Sequence, residues 1–214
     1  MIDFLYTFSI YLHFLPILVG VYLLVFKKLN RMYIPVLLFL SISAFTDIIS
    51  IWIAKKYHNN LFVFSFYALL DTSIIFYFIQ QFLRQKKAKL FFLIVISAYF
   101  IFSTWSALAF GFDRYNAFQL ALGALFIIGL ILYFFFEIFY YENVDDLTKF
   151  PPFWIASVWL VYYSGTLFLN LLFNEVINGN LSVKIDLTNI LLLIFTNIVC
   201  TLSLWMARKN PTTK

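Results

Sequence analysis

Seven apolar runs, each long enough to cross a bilayer, take up nearly all of this 214-residue chain and leave only short polar connections between them. About 20 apolar residues span the hydrocarbon core at a rise of roughly 1.5 Å each. The runs predict helices over residues 3–26, 32–54, 61–83, 90–110, 117–141, 153–173 and 187–207. Hydrophobic residues make up 64% of the chain and charged residues 12%. A water-soluble domain averages about 45–50% and about 25%, so this chain could not clothe its own surface in water. The runs do not alternate apolar with polar residues, which excludes a transmembrane β-barrel. The expected fold class is therefore all-α, a polytopic membrane bundle of seven transmembrane helices in a single domain, residues 1–214.

The connections are too short to house a soluble catalytic or binding domain, so function must reside within the membrane, at its faces, or in a partner. The net charge of +5 comes from residues that flank the apolar runs. They read as topology signals, and nucleic acid is not an expected partner. Lys27, Lys28, Arg31, Arg84, Lys86, Lys87, Lys89, Lys149, Arg208, Lys209 and Lys214 fall on one side of the spans; Lys55, Lys56, Arg114 and Lys184 fall on the other. The positive-inside rule makes the first side cytoplasmic, with the N-terminus outside and the C-terminus inside. Asp3, with no basic residue before the first span, agrees with this and argues against a cleaved leader. The expected location is the inner (plasma) membrane of a bacterial cell.

Cysteine chemistry is minimal: Cys200, alone in an apolar run, reads as a small packing residue and cannot form an internal disulfide. His13 and His58 are too few for a histidine metal site, and no metal or other cofactor is expected. The acidic connection Tyr141–Asp146 reads as a solvated linker running into the helix-starting Pro151 and Pro152.

The informative residues are the ionisable ones inside the spans, since each costs on the order of 2.5–3.5 kcal/mol at a helix centre. These are His13, Asp47 and Asp71. Each belongs to a stripe at three- and four-residue steps, and so to one helix face. The first helix carries Tyr6, Ser9, His13, Pro16 and Gly20; the second, Ser43, Asp47, Ser50 and Ala54. The sixth carries Trp159, Tyr163, Thr166 and Asn170, and the seventh Asn189, Thr196, Cys200 and Ser203. Ser97 and Thr104 in the fourth and Gln119 and Gly123 in the fifth add smaller polar faces. Asp47, Thr104, Gln119, Asn170 and Asn189 map to the outer half of the spans, whereas the inner half is almost purely apolar. The expectation is a polar cavity in the outer half, deepest at His13 and Asp71. Its candidate ligand-binding residues are His13, Asp47, Asp71, Tyr163, Asn170 and Asn189, and no catalytic residue is assigned. Glu137, near the inner end of the fifth helix, is expected to reach the headgroups or a nearby lysine. The competing reading of the hydroxyl and amide stripes is ordinary helix packing, in which such bonds contribute roughly 0.6 kcal/mol each.

The stretch from Asp47 through Asn59-Asn60-Leu61 to Asp71, with Pro152-Phe153-Trp154-Ile155 and Tyr162-Tyr163-Ser164-Gly165, resembles a group of uncharacterised bacterial seven-helix integral membrane proteins. That group is in turn similar to membrane sensor modules associated with histidine kinases. The resemblance spans about two thirds of the chain, leads one to expect acidic residues at the positions of Asp47 and Asp71, and implies a sensory or signalling role. Other families fit less well. The last span, residues 187–207, lacks the lysine a retinal protein needs; Pro16 and Pro35 find no counterpart in the fifth helix, as seven-helix sugar carriers would require; one intramembrane histidine is too few for a zinc-dependent membrane hydrolase. The glycine-aspartate motif of lysoplasmalogenase-type proteins is also missing, because Asp47 follows Phe45-Thr46.

Three active functions therefore compete, beside a structural or assembly subunit. A receptor-like sensor would take a small apolar or amphiphilic ligand into the outer cavity and meet a cytoplasmic signalling partner through its basic loops and tail. A small-solute transporter would need broken helices, for which six glycines offer little material. An intramembrane lipid hydrolase could divide acid and base work between paired aspartates.

Overall fold

The computed structural model describes residues 2–26, 28–57, 60–110, 116–141, 144, 146–177 and 182–208. Among these are seven long helices: α1 (Ile2–Val25), α2 (Ile34–Tyr57), α3 (Leu61–Ile79), α4 (Lys86–Phe110), α5 (Ala117–Tyr141), α6 (Pro151–Ile177) and α7 (Ser182–Ala207). Each contains a segment long and apolar enough to cross a membrane. The protein is a multi-pass membrane protein built as an all-α bundle. Lys27, His58, Arg114, Glu142, Asn143, Asp145, Lys209 and Lys214 lie outside the described residues, as does the side chain of Lys184.

Helix ends follow local chemistry more than the edges of the apolar runs. The Asn30 carboxamide accepts the Met32 amide at 3.1 Å and caps a 3-10 turn, Arg31–Tyr33, that leads into α2. Asn116 accepts the Gln119 amide at 3.0 Å at the start of α5. Pro151 and Pro152 open α6, where a missing amide hydrogen costs nothing. Helix α6 runs to Ile177 and α7 starts at Ser182, outside the expected 173 and 187, and a second departure from expectation lies between α3 and α4. The apolar run predicts a helix to residue 83, yet α3 stops at Ile79 and residues 80–82 tighten into i→i+3 bonds (Gln81 to Phe78, Phe82 to Ile79). The next helix starts at Lys86, four residues before its expected start at 90. The cause is Glu137 of α5, whose carboxylate accepts the backbone amides of Arg84 (2.5 Å) and Gln85 (3.3 Å) and so caps α4 from another helix. Glu137 is buried, at 2% exposure. It reaches neither headgroups nor a lysine, as the sequence had suggested it would. Four orphan amides at a helix start need acceptors, and inside a membrane protein a carboxylate is a strong one.

Six of the helices close a ring. Contacts run from α1 to α2, α2 to α3, α3 to α5, α5 to α6, α6 to α7, and α7 back to α1. Helix α4 stands outside it, against α5 and, more lightly, α3. Close approaches rely on glycine: a Cβ at Gly20 would strike Leu37 across α1 and α2, and one at Gly165 would sit 2.5 Å from Leu192 Cδ1 across α6 and α7. The outer surface is apolar and aromatic, with Tyr11, Leu18, Ile101, Leu108, Phe118 and Phe168 exposed as lipid-facing residues must be. At the membrane edges, cations lie over rings: Lys56 over Trp52 and Tyr57 (5.1 Å each), Arg84 over Tyr141 (5.2 Å) and Arg208 over Trp205 (5.1 Å).

The two halves of the ring differ. Toward the end where α1, α3, α5 and α7 finish, the interior is packed solid. Trp159 meets Phe39 (5.0 Å between centroids) and Phe78 (5.5 Å) edge-on, Phe82 bridges Phe78 and Phe134, and Leu130, Ile131 and Ile155 are fully buried around them. Toward the end where α2 finishes and α3 begins, the interior is hollow.

Candidate functional site

The hollow is a partly open cavity of about 400 Å³, walled by α2, α3, α5, α6 and α7. That volume is within the range of small-molecule sites. Its floor is Asp71 and Thr72 on α3, with Ile127 on α5, roughly halfway along the helices; its far wall is Asn170 near the end of α6 and Asn189 near the start of α7. Asp47 and Thr46 contribute from α2, and Tyr162 and Tyr163 from α6. Gly123 of α5 makes room on one side. A Cβ there would come within 2.7 Å of Tyr99 Oη, which reaches toward the cavity wall from α4.

Of the six residues singled out from sequence, Asp47, Asp71, Tyr163, Asn170 and Asn189 line this one cavity. Asp71 is 4% exposed. One of its carboxylate oxygens, Oδ2, accepts a hydrogen bond from the Tyr163 hydroxyl, a contact between residues 92 positions apart. The other, Oδ1, is buried without a hydrogen-bond partner. Asp47 is at the cavity's edge, its side chain 34% exposed.

His13 sits behind the cavity. It is buried on α1, its Nδ1 3.1 Å from Asp47 Oδ2. The ring is not turned for an aligned N–H···O bond, so the two side chains are close without being hydrogen-bonded. His13 borders a second, much smaller space of about 10 Å³, scarcely the size of a water, which shares Ser43, Tyr67, Tyr162 and Leu193 with the main cavity. The expected His13–Asp47–Asp71 trio thus divides into two pairs on separate helices, His13 with Asp47 and Asp71 with Tyr163.

The small-residue face of α1 is inward as expected: Ser9, His13, Pro16 and Gly20 are all buried. On α7, Thr196, Cys200 and Ser203 are buried too, but below the cavity, where Thr196 and Ser203 bond carbonyls one turn back on their own helix. Two expectations are overturned. Ser97 and Thr104 are exposed on α4 and bond only the carbonyls of Leu93 and Phe100, a turn earlier. Because α4 is outside the ring, these two hydroxyls, on its outer face, point away from the cavity and satisfy themselves locally, as serine and threonine can in any helix. Gln119 is buried but not a cavity residue; its amide reaches the Ser65 carbonyl at 3.4 Å and ties α5 to α3.

Sequence reading missed Tyr67 and Tyr162, both of which line the cavity. Tyr67 stands one turn before Asp71 on α3, so the i, i+4 relation was a usable signal. Tyr162 adjoins Tyr163, and their rings meet nearly perpendicular at 5.2 Å. Adjacent residues on a helix point about 100° apart, so Tyr162 could not be placed on the same stripe from spacing alone.

Fold and cavity define a seven-helix membrane protein with a half-bundle site of mixed character, acidic and phenolic at its floor and apolar along its walls. No family model, no curated protein and no solved structure matches this chain.

Proposed function

We propose that this chain is a receptor-like sensor of a bacterial inner membrane, with its cavity opening outward to admit a small amphiphilic ligand. The observation that carries this reading is the one-sided construction of the ring: a cavity in one half and a tight aromatic plug of Trp159, Phe39, Phe78 and Phe134 in the other. A site closed at its base holds a ligand and can report occupancy through the helices around it. The described basic residues support the orientation. Lys28, Arg31, Arg84, Lys86, Lys87, Lys89, Lys149 and Arg208 gather at the plugged end, and Lys55 and Lys56 at the cavity end, so the plugged end is cytoplasmic by the positive-inside rule. That basic face is where a cytoplasmic signalling partner would dock. The resemblance to sensor modules associated with histidine kinases points the same way.

Ligand-binding roles fall to Asp47, Asp71, Tyr163, Asn170 and Asn189, with His13 acting through Asp47. The runner-up is a small-solute transporter, favoured by the buried Asp71–Tyr163 pair near mid-membrane. Two measurements decide. Thermal stabilisation of the purified protein by a screened compound, lost in the cavity-filling variant Ala68→Phe, would establish the site. Sealed vesicles carrying the protein should then bind that compound without concentrating it; accumulation would make the protein a carrier and end the sensor reading. Labelling of Asn170→Cys and Asn189→Cys on a Cys200→Ala background by an impermeant maleimide in intact cells checks the outward opening.

A further inference from the structure

The charge balance of the cavity narrows its ligand to one chemical class, on the premise that the cavity is a binding site as proposed above. Two carboxylates, Asp47 and Asp71, line it, and among the described residues lining it there is no lysine or arginine. His13 is behind the cavity, its Nδ1 3.1 Å from Asp47 Oδ2, and leaves Asp71 unmatched. Asp71 is the more telling of the two. Asp71 is a floor residue of the cavity; its Oδ2 is taken by the Tyr163 hydroxyl, while its Oδ1 is buried with no donor. A buried carboxylate oxygen without a donor is costly, and the cost is relieved by whatever brings an N–H to it.

We infer that the cavity binds an organic ammonium ion carried on a largely apolar molecule, with the ammonium N–H donated to Asp71 Oδ1 and the apolar part held along α5 and α7. A carboxylate or phosphate ligand would face two acidic side chains and no lysine or arginine among the described lining residues. A neutral alcohol could donate one hydrogen bond but would bring no positive charge to match the two acidic side chains. An amine meets both needs, and the tyrosines complete the fit: Tyr67, Tyr162 and Tyr163 stand around the floor, and phenol rings favour a cation beside them. Leu120, Ala124 and Leu193 supply the apolar wall above. At about 400 Å³ the space lies toward the small end of the range for drug-sized ligands.

Three probes with one skeleton test this: 4-phenylbutylamine, 4-phenylbutan-1-ol and 4-phenylbutyrate, titrated calorimetrically against the full chain in nanodiscs of zwitterionic lipid. Ala68→Phe nanodiscs serve as the control for partition into lipid. The amine is expected to bind wild type at least about tenfold more tightly than the alcohol, a step of roughly one factor of ten in Kd, and the carboxylate to show no site-specific binding. Asp71→Asn should bind amine and alcohol alike, and Ala68→Phe should lose specific binding of both. Equal affinity of amine and alcohol for wild type, a comparison that needs no variant to fold, would overturn the ammonium inference while the cavity stands, provided Ala68→Phe abolishes both. Loss of amine preference in Asp47→Asn but not in Asp71→Asn would overturn the assignment to Asp71. Identical binding of all three probes to wild type and Ala68→Phe would remove the cavity reading itself, and this inference with it.

Discussion

Glu137 offers the sharpest test of how the helices are tied together. Its carboxylate accepts two backbone amides, Arg84 at 2.5 Å and Gln85 at 3.3 Å, across a sequence gap of more than fifty residues. Glu137→Ala removes both bonds and leaves the amides at the start of α4 without that acceptor. An N-cap is worth about 0.5–2 kcal/mol, and hydrogen bonds to a charged acceptor about 1.5–3 kcal/mol when buried. The second bond is long and Arg84 is exposed on its outer side, so the combined loss is expected at about 2–4 kcal/mol. Glu137→Gln keeps one carbonyl oxygen for the shorter bond and should lose about half of that. The assay is reversible unfolding in mixed micelles, with α4 followed separately by amide exchange at residues 86–90. Local exchange should rise in both variants, and more in Glu137→Ala. A Glu137→Ala protein within about 0.5 kcal/mol of wild type, with unchanged exchange at the α4 start, would refute the capping argument; so would a Gln variant as unstable as the Ala variant.

Further expectations concern the site and the ring. A double-mutant cycle between Asp71→Asn and Tyr163→Phe should give a coupling of about 0.6–1.7 kcal/mol, the range of hydrogen bonds between membrane helices; a coupling near zero would mean the two side chains do not bond. His13→Ala should cost no more than about 1.5 kcal/mol, because its partner Asp47 is one-third exposed and misaligned, and a loss above about 3 kcal/mol would point to a buried structural lock. Gly165→Leu should destabilise by about 1–3 kcal/mol by forcing Leu192 aside, and Gly165→Ala by less, as read from melting in detergent. In the connection before α6, Lys149 at 2.8 Å and the Thr148 hydroxyl and amide hold the Asp146 carboxyl below its ordinary 3.8, at about 2. The fold favours the ionised form, so whatever this turn contributes is whole above pH 3.8 and is lost as pH falls through about 2. Carboxyl-carbon NMR of Lys149→Ala should show that midpoint rising toward 3.8, and an unmoved midpoint would show that Lys149 is not its cause.

The sequence by itself determined the number of helices, their approximate spans and which end of the bundle would be polar. The physical reason is that lipid forces every backbone amide into a helix and makes each buried charge conspicuous. It also placed Ser9, His13, Pro16 and Gly20 on one inward face, since a three- to four-residue step is a geometric property of any α-helix. The ring was beyond it. Ser97 and Thr104 are the same residue types at the same spacing as the inward stripes, and only the packing of six helices to the exclusion of α4 turns them outward. Pairing was equally out of reach. Glu137 with the start of α4, and Asp71 with Tyr163, join positions far apart in the chain, and nothing in local periodicity says which face of one helix meets which face of another. Helix formation in a bilayer is settled by backbone hydrogen bonds within each segment, whereas partner choice depends on side-chain shape and polar matching between segments, and that exists only once the bundle has closed.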